Sequence, residues 1–455
     1  MEKLNEYQKR DLKHLWHPCS QMKDYEKLPP MVIERGEGVY LFDVNGKKYL
    51  DCISSWWTNL FGHSNKRINQ AIINQINKIE HVIMANFSNI PAIELSEKLA
   101  KITPEGLEKV FFTDNGSSSV EVALKMSFQY YQQKGFKKKT KFATIKDGYH
   151  GETIGALSVG DLDIFTKTYK PLLNEALKAK SPDCYRCEFN KERETCSAEC
   201  FCHMENLIKE NHEEICAIIV EPLIQGSAGM KMYSPIYLKK LRKICDKYNM
   251  HLILDEIAVG FGRTGTMFAC EQAKISPDLM CLSKGLSAGY MPIAVVMATD
   301  DIYDCFYGDY EKMNGFFHSH TYSGNAMACA IAVESIKIFE EENILDKNKE
   351  KAKYLSEKVN EAFKDDQWVG DIRQMGLIVA IELVENKESK KAFDWKKRVG
   401  FEIYKIALEK GLILRPLGDV LYFNPPYVIT EEEIDFMVKT AKESLDEYRH
   451  RNCME

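Results

Sequence analysis

The sequence predicts an α/β fold: a mostly parallel central sheet with helices on both faces, plus a smaller α+β part assembled from both ends of the chain. Three observations carry that expectation. From about residue 105 to 300, short apolar runs alternate with amphipathic stretches, as in a sheet whose helical crossovers cover both faces. After residue 325 that alternation gives way to one long helical stretch and strand-like pairs. Near the start, VYLFDVNGKKYLDCIS sets Asn45-Gly46 between two alternating runs, a strong hairpin signal.

Five runs read as the strands of the sheet: KVFFTD (109–114), KFATIK (141–146), CAIIVEP (216–222), HLILDE (251–256) and DLMCLS (278–283). Between the third and fourth, YLKKLRKICDKYN puts Leu238, Leu241, Ile244, Cys245 and Tyr248 on one helical stripe. The strand in FFTDNGSSSVEVALKM runs into a helix whose expected apolar face is Val120, Ala123, Leu124, Phe128 and Tyr131. Towards the end, AMACAIAVESIKIFEEEN is helical, and DIRQMGLIVAIELV and GLILRPLGDVLYFNPPY read as strand-like pairs. The expected division is a small domain from residues 1–65 and 326–455, and a large domain from 66–325 that carries a Cys-rich excursion at 181–203.

With 455 residues, 45% hydrophobic and 28% charged, the chain can bury a large core. A net charge of -6 argues against nucleic acid or an anionic membrane as the main partner, which leaves a small molecule. MEKLNEYQKRDLKHLWHP lacks the apolar core of a signal peptide, and no later run approaches the roughly 18 apolar residues of a membrane span, so a cytosolic protein with reduced thiols is expected. Of the fourteen cysteines, Cys52, Cys216, Cys245, Cys281 and Cys329 sit in apolar surroundings as buried small hydrophobes. The excursion differs, because CYRCEFNKERETCSAECFCH gathers Cys184, Cys187, Cys196, Cys200, Cys202 and His203. A structural zinc clip and a surface insertion with free thiols are both open there; the spacing matches no standard finger, and no metal ligand is assigned.

Three segments carry chemistry. Gly116-Ser117-Ser118-Ser119, between a strand and a helix, offers first-turn N–H groups to an anion, or simply caps the helix. Asp255 ends an apolar strand, where a carboxylate caps a helix or holds a cationic group of a ligand. Lys284 follows another strand among Ser283, Gly285 and Ser287; a desolvated lysine with a lowered pKa is what Schiff-base chemistry requires. A phosphate cup, an aspartate and a lysine at the ends of consecutive sheet elements are the three needs of pyridoxal phosphate: an anchor, a carboxylate for its ring nitrogen and an amine for its aldehyde. Tyr149 supplies an aromatic that stacks on such a ring or packs in the core.

FTDNGSSSVEVALK, YHGETIGALS, VEPLIQGSAGM, LDEIAVGFGRTG, SKGLSAGYMP and HTYSGNAMACA, in that order, resemble the class III (ω-amino acid) aminotransferases of fold type I along essentially the whole chain. The resemblance implies a pyridoxal-phosphate enzyme and a homodimer with active sites at the interface. It makes Lys284 and Asp255 catalytic, and has Gly116, Ser117, Tyr149, His320 and Thr321 join them around the cofactor, with Thr321 reaching the phosphate of the neighbouring subunit. HLWHPCSQM, SSWW and RPLGDVLYFNPPY are most similar to the branch of the family that aminates 8-amino-7-oxononanoate in biotin formation. That likeness implies a substrate pocket of Trp56, Tyr149, Lys284, Ser319, Tyr422 and Cys19, with Arg415 for the acid's carboxylate.

A long methylene chain wants apolar walls, and a distant carboxylate wants a guanidinium, in agreement with this. Cys19 departs from the tyrosine usual in users of S-adenosylmethionine, and Ser319-His320-Thr321 replaces a usual Gly-Pro-Thr, so S-adenosylmethionine and lysine both stand as donors. Another ω-aminotransferase, acting on ornithine, 4-aminobutyrate or a diamine, and a non-catalytic pyridoxal-phosphate- or zinc-binding protein remain as alternatives. Trp56 and Trp57 are expected on opposite sides of an extended segment, Trp56 towards the pocket.

Overall fold

The computed structural model describes residues 4–453. The Asn45-Gly46 turn joins β2 (Tyr40–Asp43) to β3 (Lys48–Asp51) as an antiparallel hairpin, with β1 (Ile33–Glu37) on the other side of β2. Asp43 fixes the turn: its Oδ1 accepts the N–H groups of Asn45 and Lys47, each at 2.9 Å, while Gly46 supplies a φ of +81°.

The central sheet takes β4 (Leu107–Thr113), β5 (Lys141–Ile145), β6 (Leu177–Ala179), β7 (Ile215–Val220), β10 (His251–Asp255), β11 (Leu279–Leu282) and β12 (Ala294–Thr299). A short hairpin of β8 (Ile224–Gln225) and β9 (Lys231–Met232) follows β7. The spatial order is β4-β12-β11-β10-β7-β5-β6, and only β12 runs antiparallel to its neighbours. All five expected strands are present. The expected run of consecutive elements is not, because β12 stands between β4 and β11. Residues 283–293 are too short a link for a helical crossover, so the chain turns back beside β11 and inserts the antiparallel strand.

The strands read as uniformly apolar because both faces are covered. Leu252 and Leu254 of β10, with Met280 and Leu282 of β11, join one core, while Ile253, Leu279 and Cys281 join the other. The helix Pro235–Tyr248 buries Leu238, Leu241, Ile244 and Cys245 against the first core as expected. The helix Gly116–Gln133 buries Val120, Ala123, Leu124 and Tyr131 in the second, but Phe128 is 40% exposed and leaves the expected stripe. Ser127 takes the inward position instead, and its hydroxyl lies 2.9 Å from Nδ1 of buried His251, which satisfies a polar group where an apolar one was expected.

The C-terminal strands divide between two sheets. β13 (Val369–Met375) and β14 (Ile378–Leu383) form a hairpin. β15 (Leu412–Ile413) joins β3 in parallel, whereas β16 (Val420–Phe423) pairs with β14. Arg415 therefore stands in the bridge from one small sheet to the other. Arg263 ties both ends of the chain to the loop after β10: fully buried, it donates to Pro425 O at 3.1 Å and Asn59 O at 2.9 Å, and lies 5.1 Å from the Tyr427 ring. The apolar-site cysteines Cys52, Cys216, Cys245, Cys281 and Cys329 are all buried. No helix among the described residues is long and apolar enough to cross a membrane.

Glu256, the residue after β10, is buried and accepts the N–H groups of Ala269 and Cys270 at 2.9 Å each. Burial pushes its carboxyl up from 4.5 to about 7 despite those bonds. The folded chain then holds a proton that the unfolded chain has lost, so this group's contribution makes stability fall as pH rises from 4.5 through about 7. Glu256→Gln should flatten that slope, gaining about 3 kcal/mol relative to the parent across the window, as read from urea unfolding at a series of pH values. An unchanged slope would contradict the assignment.

Candidate active site

The carboxyl ends of β4, β5, β7, β10 and β11 lie along one edge of the sheet, and each delivers one polar group to it. After β4, Asn115 caps the helix Gly116–Gln133, its Oδ1 taking the Ser118 N–H at 3.0 Å. The N–H groups of Gly116 and Ser117 have no intrahelical acceptor and face the positive end of the helix dipole. Ser117 Oγ accepts the Glu152 N–H at 3.1 Å, which draws the segment after β5 against the helix start. Gly151 permits that approach: with φ +116°, a Cβ there would lie 1.9 Å from Ser117 Oγ.

Asp255 closes β10. Its Oδ2 lies 2.8 Å from Nδ1 of His150 and its Oδ1 accepts the Ile257 N–H at 3.1 Å, all in the interior. Nε2 of His150 is buried without a partner. Lys284 follows β11 with φ +42° and is largely buried; desolvation drives its ammonium pKa down, while Asp255 and then Glu221 pull it back up. Among the described residues its Nζ has no hydrogen-bond acceptor, and it stands over the Trp57 ring, 5.5 Å from the centroid. Glu221, one residue past β7, accepts the N–H groups of Tyr149 and Gly226 at 2.9 Å each, and burial pushes its carboxyl up to about 7.

The two tryptophans are not in extended chain. Ser54, Ser55, Trp56 and Trp57 all have positive φ (51°, 45°, 73° and 69°), and Trp57 N–H bonds Ile53 O at 2.8 Å, so the segment is one left-handed helical turn. Such backbone costs about 1–2 kcal/mol per L-residue and persists only where surrounding contacts hold it. Ser54 Oγ donates to Asn424 O at 2.7 Å, Ser55 Oγ to Asp51 Oδ2 at 2.7 Å, and Asp51 meets His63 at 3.0 Å. The turn still sends the rings apart, but through helical rotation rather than strand alternation.

Trp57 is buried and donates Nε1–H to the Tyr422 hydroxyl at 3.0 Å, so the tryptophan nearer to Lys284 is Trp57. Trp56 is 39% exposed and carries the Arg415 guanidinium 3.9 Å above its ring. Among the described residues Arg415 has no carboxylate within salt-bridge reach. Tyr149 packs on Phe165 at 5.2 Å and donates its hydroxyl to Glu152 at 2.9 Å; Cys19 Sγ lies 3.8 Å from the same carboxylate. Burial and then Glu152 raise the Cys19 thiol pKa, opposed by Arg415, so Cys19 and Arg415 share one mouth.

Of the expected residues, Gly116, Ser117, Tyr149, Asp255, Lys284, Trp56, Arg415, Tyr422 and Cys19 thus converge. Ser319, His320 and Thr321 make no contact with them in this chain among the described residues: their loop packs on Phe111 of β4 and on the helix Gly116–Gln133, with His318 bonded to Lys125 at 2.9 Å and His320 3.3 Å from His318. Thr321 and Ser319 are exposed. Sequence reasoning missed His150, Glu221, Glu152 and the inward role of Trp57. Glu221 carried the same signal as Asp255, a carboxylate at the end of an apolar strand. A cleft of about 860 Å³ between the excursion and β13 lies elsewhere, and in it Arg373 is paired with Asp371 and Glu382 and Lys231 with Asp147.

The aminotransferase class-III family model matches residues 21–445. The chain is 43% identical, over 96% of its length and 96% of theirs, to the adenosylmethionine-8-amino-7-oxononanoate aminotransferase of Geobacter sulfurreducens. It is 41% identical to the protein of the same name from Staphylococcus aureus, over 100% of both chains. The solved structure of that aminotransferase from Methanocaldococcus jannaschii has a TM-score of 0.92 at 41% identity, covering 97% of this chain and 98% of its own. The omega transaminase of Pseudomonas jessenii in complex with PMP has a TM-score of 0.93 at 32% identity, covering 98% and 99%.

Ser54→Ala removes a buried hydroxyl and strands the Asn424 carbonyl, so it should cost about 1–2 kcal/mol and loosen Trp57. Chemical unfolding together with quenching of tryptophan fluorescence by acrylamide checks both effects.

Proposed function

The chain belongs to the class III aminotransferases, and from that premise we propose that it transfers an amino group to 8-amino-7-oxononanoate, forming 7,8-diaminononanoate for biotin. Pyridoxal phosphate supplies the aldehyde that carries the amine and the ring that takes up electrons. The residues present fit that group: free first-turn N–H groups for its phosphate, a buried carboxylate for its ring nitrogen and an amine without a partner for its aldehyde.

In this reading Gly116 and Ser117 bind the phosphate and Tyr149 stacks on the ring. His150 holds Asp255 in place, so that a negative charge faces the ring nitrogen. Lys284 Nζ, whose ammonium pKa burial lowers, takes a proton from the donor's amine-bearing carbon and delivers it within the same site. Trp56 and Tyr422 wall the methylene chain, each buried CH₂ contributing roughly 0.8 kcal/mol. The observation that carries the acceptor is Arg415, a cation stacked on Trp56 and lacking any carboxylate of its own. S-adenosylmethionine and lysine are both retained as donors, with Cys19 at the mouth where they enter.

We further infer a homodimer in which Ser319, His320 and Thr321 complete the neighbour's site. The exposure of Ser319 and Thr321 supports this, as does the apolar surface beside them: Phe87, Ile90, Phe317 and Tyr322 are each more than half exposed, and His81 packs on Tyr322 at 5.1 Å.

The test is a half-reaction: S-adenosylmethionine, lysine and 4-aminobutyrate are each added to the loaded enzyme, and bleaching of the cofactor's visible band is followed. Conversion of 4-aminobutyrate without any turnover of 8-amino-7-oxononanoate would overturn the acceptor. Lys284→Ala should lower turnover at least ~10³-fold with the fold intact by circular dichroism. Arg415→Ala should raise KM for the keto acid about 10–100-fold, the value of a charged hydrogen bond, and raise it less for the donor. An equal rise for both would assign the guanidinium to the donor's carboxylate as well.

A further inference from the structure

Residues 180–198 contain no helix or strand, yet they hold a defined path between β6 and the short turn Glu199–Phe201. Their charged side chains turn outward into ion pairs. Lys180 and His203 meet Glu188 at 2.7 and 2.6 Å, Arg186 meets Glu382, and Arg193 meets Glu194 at 2.7 Å. The one large apolar side chain of the loop tip, Phe189, is 38% exposed and gives the loop no centre. The centre is sulfur. Cys184, Cys187, Cys196 and Cys200 all line a single enclosed space of about 30 Å³, walled also by Ser181 and Ala198. All four are free thiols and half-buried. Cys196 Sγ makes one weak hydrogen bond, to Arg193 O at 3.6 Å.

The sequence offered six candidate ligands in this stretch, and the structure separates them. His203 is taken by Glu188, and Cys202 opens the helix Cys202–Asn211 without lining the space. The remaining set is Cys-x2-Cys, eight residues, then Cys-x3-Cys, two pairs on the two limbs of one loop. We propose that these four cysteines form a structural site for one zinc ion, bound through four sulfurs.

Four thiolates are the donor set that a soft, borderline ion such as zinc takes in a closed tetrahedral site. Binding forms four S–Zn bonds and releases the four Sγ–H protons to solvent, with no electron exchanged. A central dication favours the thiolate form of each ligand. Among the described residues no group of three or more such side chains is already placed to hold an ion, so an ion would have to draw the four sulfurs inward across the small space. The loop also touches the C-terminal part, Lys390 Nζ donating to Tyr185 O at 2.6 Å, so the ion would staple the excursion beside β13 and β14. Lys284 and its partners take no part.

Full-length enzyme, grown with zinc and desalted without chelator, should carry about one zinc per chain by plasma mass spectrometry. Cys184→Ser, Cys187→Ser, Cys196→Ser and Cys200→Ser should each lose it, and Cys202→Ser should keep it. Where a variant fails to fold, titrating the unmodified protein with a mercurial should release zinc to a chromogenic indicator. Cobalt replacement should give the intense visible bands of a tetrahedral thiolate site. Zinc below about a tenth of an equivalent with no cobalt spectrum would overturn the proposal. So would disulfides among the four by mass after alkylation, iron and sulfide in place of zinc, or zinc retained equally by all five variants.

Discussion

The left-handed turn Ser54–Trp57 is the constraint on which the site depends. Four L-residues in that conformation are unfavourable alone, and the turn exists because both ends of the chain grip it. Ser54 bonds the carbonyl of Asn424, Asn424 N–H returns to Cys52 O at 2.8 Å, and Tyr427 N–H reaches Leu60 O at 2.7 Å. Gly226 lets the Trp57 ring approach, since a Cβ there would lie 3.1 Å from it. From this one turn follow the wall beside Lys284, the hydroxyl of Tyr422 bonded to that wall, and the platform under Arg415.

Electrostatics divides the site by depth. In the interior, Asp255, Glu221 and Lys284 sit where charge is costly, and each is held by a different means. Asp255 has His150 and a backbone N–H, Glu221 has two backbone N–H groups, and Lys284 has only the field of the other two. Burial therefore lowers the lysine's ammonium pKa while the two carboxylates oppose the shift. At the mouth, Arg415, Glu152 and Cys19 remain in contact with solvent, so their charges can be exchanged for those of a substrate.

Arg263 shows how the remote parts are held in register. A buried guanidinium bonded to two carbonyls through its Nη groups and set beside a tyrosine ring is costly to desolvate, yet it joins the segment after the left-handed turn, the segment after β16 and the loop after β10 at one point. The sheets to which those segments belong thus keep a fixed relation to Asp255. Both small sheets contribute, because β15 and β16 diverge around Arg415.

The strands ending in Asp255 and preceding Lys284, the Asn45-Gly46 hairpin and the Gly116-Ser117 cup were legible in the sequence, because apolar runs, turn residues and small residues before a helix report local backbone preference. The sequence by itself also determined the family, since its motifs are contiguous stretches of chain. Tertiary structure alone decided the rest. The place of β12, the inward turn of Ser127 instead of Phe128, the division of β15 from β16 and the left-handed turn all arise from partners distant in the chain. The same holds for which tryptophan meets Lys284. Adjacent Trp56 and Trp57 have identical side chains and nearly identical local context, and only the contacts of Asn424, Tyr422 and Arg415 tell them apart.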